Sequence, residues 1–159
     1  MEIIRNRVFE TNSSSTHSIT MCMKSDYDKW KDGKLYFWEC ESKFVTKEER
    51  DEILRKYVLE GKLGIDFNEK TITFKGTTVH YKDYEDKYKK MELFYTKENL
   101  EEITQKEIDD EIKNCFDRSE IPCTYNEWYD ALDFETYCTE FKTPSNETVV
   151  SFGFYGQDY

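Results

Sequence analysis

KTITFKGTTVHY, residues 70–81, alternates apolar and polar side chains on both sides of Lys75-Gly76. A two-residue turn at that dipeptide places Phe74 opposite Thr77 and Ile72 opposite Val79, so the apolar positions of both arms fall on one face. This predicts an antiparallel hairpin with no crossover helix. Toward the C-terminus the pattern recurs in YCTEF (137–141) and TVVSFGFY (148–155), separated by KTPSNE with Pro144 in the turn. Toward the N-terminus, EIIRNRVFE is β-branched and aromatic at Ile3, Ile4, Val8 and Phe9. SITMCMK carries Ile19, Met21 and Met23 on one face, and DGKLYFWE follows an Asp-Gly turn with an apolar run.

Helices interrupt these strands without regular alternation. Thr46 and Glu49 form a capping box, Ile53, Leu54, Tyr57 and Val58 recur at helical spacing, and Gly61 ends the run. Further capping boxes at Thr104-x-x-Glu107 and Thr124-x-x-Glu127 introduce Ile108, Ile112 and Phe116, then Trp128 and Leu132. The pattern predicts a single α+β domain over residues 1–159. It has a mainly antiparallel sheet, one helix in the N-terminal half and an acidic helical segment at 97–135.

The length is enough to bury a core without disulfides or a metal. Twelve tyrosines and eleven phenylalanines offset the scarcity of aliphatic residues, which predicts an aromatic core and argues against disorder despite 36% charged residues. No apolar run approaches the roughly 20 residues of a membrane span, and the opening MEIIRNRVFE has no signal-peptide core, so a cytoplasmic location without membrane contact is expected. Five cysteines without a C-x-x-C spacing fit reduced thiols, with Cys22 and Cys40 expected as buried small apolar residues. Two histidines, His17 and His80, supply no zinc constellation. Six glycines form no Walker or dinucleotide-binding motif, so backbone cradles for phosphate are scarce. No cofactor, metal or catalytic residue is assigned, and a non-enzymatic protein is the favoured reading.

Charge is distributed unevenly. Residues 98–140 hold fourteen acidic and three basic side chains, an excess equal to the chain's whole net charge of −11. Such a field repels nucleic acid and attracts a basic partner surface. The expected interface comprises Glu107, Asp109, Asp110, Glu111, Asp117 and Asp130, with Trp128 as its aromatic anchor. The expected partner is a basic nucleic-acid-binding protein of a host or defence system, with no direct contact to nucleic acid.

One motif remains. In FETNSSSTHSITM, residues 9–21, a run of polar side chains separates two strand-like segments. Asn, Ser and Thr hydrogen-bond their own backbone, so the run reads first as a tight connection. It also reads as an anion or nucleotide site, binding or processing a nucleotide, formed by Arg5, Arg7, Asn12, Ser13, Ser14, Ser15, Thr16 and His17, with both arginines on one side of a strand and His17 as donor or general acid–base. Ser–His nucleophilic catalysis needs a base held against the serine and an acid orienting that base, a geometry that neighbours in one turn seldom achieve, with Glu10 the nearby acid in sequence.

RNRVFETNSSSTHSIT, residues 5–20, resembles the opening of a group of small uncharacterised proteins encoded by phages and mobile elements of Gram-positive bacteria, and SFGFYG at 151–156 resembles a second element found in some of them. The resemblance implies a small accessory protein and no assigned activity. Together with the acidic segment it predicts a non-enzymatic inhibitor that occupies a basic surface, as anti-CRISPR proteins do.

Overall fold

The structure is a computed structural model that describes residues 3–11, 15–132 and 134–157. Side chains are described from Ser18 onward, those of Cys115, Asp133 and residues 157–159 apart. The fold is α+β, and every described strand pair is antiparallel. The chain divides into two compact units, one of Met1–Arg50 with Asp117–Tyr159 and one of Asp51–Phe116.

The first unit is built on a four-stranded sheet in the order β1 (Ile3–Thr11), β2 (Ser15–Met23), β9 (Thr148–Gln157), β8 (Glu135–Lys142). Ser18, Thr20 and Cys22 of β2 stand opposite Phe154, Phe152 and Val150 of β9, and all six are buried. The buried side of β2 is therefore not the Ile19–Met21–Met23 side, which is only half-buried. Small residues on the inner side leave room for large rings. Trp30 of α1 (Lys24–Lys31) packs 5.2 Å from Phe152, 5.5 Å from Phe37 of β3 (Tyr36–Trp38) and 5.8 Å from Trp128 of α6 (Tyr125–Asp130). The expected aromatic core is present, with Trp30, Trp128, Phe37 and Phe152 fully enclosed.

The α1 helix was not expected from the sequence. Met23 caps its start without a side-chain hydrogen bond, so no cap motif marks it. The Asp32-Gly33 dipeptide ends this helix: Gly33 has φ of 73° and donates its N–H to Trp30 O at 3.0 Å. The apolar run after it is a three-residue strand, β3, paired with β4 (Lys43–Val45) around a turn in which Ser42 has φ of 52°. Cys40 sits in that turn and is exposed, correcting the expectation of a buried thiol, whereas Cys22 is buried.

The capped helix appears as α2, Lys47–Gly61, which runs from the first unit into the second. In the second unit β5 (Gly64–Asp66), β6 (Thr71–Phe74) and β7 (Thr77–His80) form a sheet in chain order. Ile72 pairs with Val79 and Phe74 with Thr77, the register expected from the alternation, and Lys75 and Gly76 both take positive φ, 49° and 79°. Ile72 packs with Leu63, Tyr81, Met91 and Phe94. Met91 ends α3 (Tyr84–Met91), which starts at Asp83, whose carboxylate accepts the Asp86 N–H at 2.9 Å. α4 (Lys97–Glu101) and α5 (Gln105–Cys115) complete the unit. Among the described residues no helix is long and apolar enough to cross a membrane.

Candidate functional site

The acidic segment crosses the boundary between the units: Glu107, Asp109, Asp110 and Glu111 belong to the second, Asp117, Trp128 and Asp130 to the first. On α5, Ile108 is buried at 1% exposure, and the neighbouring Asp109 and Asp110 stand in solvent. Gln105 donates to Asp109 Oδ1 at 2.8 Å. Glu111 is half-buried.

Glu107 is engaged within the protein. Its Oε2 accepts the Thr104 N–H at 2.8 Å and the Thr104 hydroxyl at 2.9 Å, the Thr104 hydroxyl accepts the Glu107 N–H, and Lys62 pairs with Oε1. The Lys62 hydrogen bond and those from Thr104 lower its pKa to about 2. Asp117 is likewise turned inward on its own loop: Oδ1 accepts the Ser119 N–H at 2.8 Å and hydroxyl at 2.7 Å, which holds the carboxyl below its ordinary value.

Trp128 cannot anchor an interface. It is fully buried, and its Nε1 donates to Glu39 Oε2 at 2.9 Å. Arg118 pairs with the same carboxylate and lies 4.8 Å from the Phe154 ring. The acidic setting that suggests an interface anchor does not fix the exposure of the ring, and packing against Trp30, Phe37 and Phe152 places it in the core. Asp130 is exposed at the end of α6.

Of the candidate anion-site residues, Asn12, Ser13 and Ser14 lie outside the described residues. Ser15, Thr16 and His17 are strand rather than turn, since β2 begins at Ser15 and pairs with Thr11, Glu10 and Phe9 of β1 and with Gln157, Gly156 and Tyr155 of β9. This register divides the set. Arg5, Arg7, Ser15 and His17 take alternate positions opposite Met21, Ile19, Thr11 and Phe9, on the side of the sheet that also holds Gly153 and Tyr155. Thr16 takes the side of Ser18 and Thr20. Tyr155, opposite His17, is 40% exposed and donates to Glu135, which raises its pKa.

Two further arrangements were not foreseen. In the first unit the Tyr27 hydroxyl lies 3.5 Å from those of Tyr125 and Tyr129, and burial pushes the pKa values of Tyr27 and Tyr129 up. In the second, Phe67, Tyr84 and Tyr88 are exposed, beside Lys87. The sequence signal was an aromatic scattered among charges without apolar periodicity, which patterning assigns to no buried face. Among the described residues no group of three or more His, Cys, Asp or Glu is placed to hold a metal ion. No protein-family model, curated protein or solved structure matches the chain.

Proposed function

We propose that the protein is a non-enzymatic acidic binding protein, encoded by a phage or mobile element, that inhibits a host or defence nucleic-acid-handling protein by occupying its basic surface. The observation that carries this reading is α5, which buries Ile108 and holds Asp109 and Asp110 in solvent within a segment of eleven excess negative charges. Carboxylates along a helix substitute for phosphates on a basic groove, and long-range attraction speeds the encounter at low salt.

The test is Asp109→Lys with Asp110→Lys, which leaves the Thr104–Glu107 cap intact. Wild-type protein should retain a basic protein from bacterial host lysate at low salt, lose it at higher salt, and block that protein's binding to nucleic acid. The double variant should do none of these. Retention that is indifferent to salt and to the double substitution would refute the reading.

The β1–β2 register favours a second reading, a nucleotide or phosphate site. It brings Arg5, Arg7 and His17 to one side of the sheet with Tyr155. Paired arginines suit a phosphate, and an exposed tyrosine ring suits a base. Thermal stabilisation by a nucleotide, lost in Arg7→Ala, is its expected signature. The absence of any shift across the common nucleotides would exclude it.

A further inference from the structure

Phe67 and Tyr84 are each 70% exposed and Tyr88 45%, an unusual investment of large rings in solvent. They form a line. Lys87 Nζ lies 5.2 Å from the Phe67 ring centre and 5.4 Å from that of Tyr88. Tyr88 meets Tyr84 edge-on at 4.8 Å and donates its hydroxyl to the Tyr84 hydroxyl at 2.8 Å. Beyond Phe67, which forms part of its wall, an open groove of about 580 Å³ is lined by Asn68, Thr71 and Thr73. Asp66 also lines it, with Oδ1 accepting the N–H groups of Asn68 and Glu69 at 2.9 and 3.0 Å. The surface therefore runs groove, ring, cation, ring, ring.

We propose that this surface binds single-stranded nucleic acid. A single strand alternates flat bases with phosphates, and two rings flanking an ammonium group match that alternation: bases stack on Phe67 and Tyr88, and the phosphate between them pairs with Lys87. Lys90, three residues after Lys87 on the same helix, extends the cationic side. A quaternary ammonium ligand is a poor fit, because Lys87 already holds the cation position between the two rings. A duplex is a poor fit too, because its bases are stacked on each other. Repulsion of nucleic acid by the acidic segment at 98–140 is not decisive here. Residues 66–90 lie outside that segment, Asp83 and Asp86 accept backbone N–H groups at the start of α3, and α3 itself carries three lysines against two acids.

The test is fluorescence anisotropy of a labelled oligothymidylate with the full chain at low salt. Binding should weaken about tenfold or more in Phe67→Ala and in Tyr88→Ala, and be lost in Lys87→Glu. The logarithm of the affinity should fall with the logarithm of salt with a slope of about −1.4, for two lysine–phosphate contacts on a single strand. All three positions are on the surface, so unchanged circular dichroism and melting confirm that the variants are folded. No anisotropy rise at about 100 μM protein would overturn the proposal. So would equal competition by a duplex or a mononucleotide, or affinity unchanged in Phe67→Ala. Because Asp109→Lys with Asp110→Lys leaves this surface intact, oligonucleotide binding should persist in that variant. The inhibitor reading and this proposal therefore fail separately.

Discussion

The hydroxyl of Tyr137 donates to the main-chain carbonyl of Ser18 at 2.8 Å, spanning from edge strand β8 to β2 across Gly153 of the intervening strand. Only glycine permits this. A Cβ at position 153 would lie 1.9 Å from Ser18 O and 2.8 Å from the Tyr137 hydroxyl. The ring fills the space that a side chain on β9 would occupy and joins three strands on the side opposite the aromatic core.

Gly153→Ala is expected to destabilise the protein by about 3 kcal/mol, because the backbone of β2 must shift to admit the methyl group. Tyr137→Phe removes only the hydrogen bond and should cost about 1 kcal/mol. Urea unfolding monitored by tryptophan fluorescence checks both. A larger loss in Tyr137→Phe than in Gly153→Ala would contradict the geometry.

The Glu39 carboxylate accepts from both the Arg118 guanidinium and the Trp128 indole N–H. Its carboxylate side chain is 15% exposed and that of Arg118 18%, so neither charge is well hydrated. Glu39→Gln should cost about 3 kcal/mol by leaving Arg118 without its counter-charge. Adding Arg118→Met should recover part of the loss, since an apolar side chain suits the Phe154 contact. The double-mutant cycle in chemical denaturation reads this coupling directly.

The pH dependence of stability should include a contribution from Glu107. Its folded-state pKa is lowered from 4.5 to about 2, first by Lys62 and then by Thr104. A lowered pKa means that the contribution is fully present above the unfolded value and is lost as the pH falls from about 4.5 toward 2. Glu107→Gln keeps a capping side chain but does not titrate. The melting temperature of this variant should fall less steeply than that of the wild type across that window.

Thiol reactivity should separate the cysteines. Burial pushes the Cys22 thiol up to about 12 and the Cys123 thiol up as well, and both are enclosed, whereas Cys40 and Cys138 are exposed. Iodoacetamide at neutral pH, followed by peptide mass spectrometry, should modify Cys40 and Cys138 and reach Cys22 and Cys123 only after denaturation. Early modification of Cys22 would show that the β2–α1 packing opens readily.

Local structure is legible in the sequence where side-chain chemistry and periodicity agree. The Lys75-Gly76 turn fixes its own register, and the three Thr-x-x-Glu boxes mark the starts of α2, α5 and α6. α1 escaped because Tyr27 and Trp30 are isolated among charges in KSDYDKWK, with no side-chain cap. The start of β2 escaped because serine and threonine favour turns locally, and pairing with β1 and β9 overrides that preference. The acidic bias of residues 98–140 and the Thr104–Glu107 cap are legible in the sequence, but the long-range partners are not. The Lys62–Glu107 pair and the burial of Trp128 against Glu39 join residues distant in sequence, and Asp117 turns to its neighbour Ser119 in a loop without periodicity.

The strand order of the main sheet has a consequence for the order of events during synthesis. β9 is the last of the described strands, yet it sits between β2 and β8 and supplies Val150, Phe152 and Phe154 to the core. On the ribosome the β1–β2 hairpin must wait, with the inner side of β2 uncovered, until the whole of Asp51–Phe116 and then β8 and β9 have emerged. Within Asp51–Phe116, by contrast, the hairpin pairs join near neighbours and form early. The nascent chain thus carries β2 with an unpaired edge until β9 emerges, and that edge is where a chaperone, or a copy of the same strand from another chain, would compete with native closure.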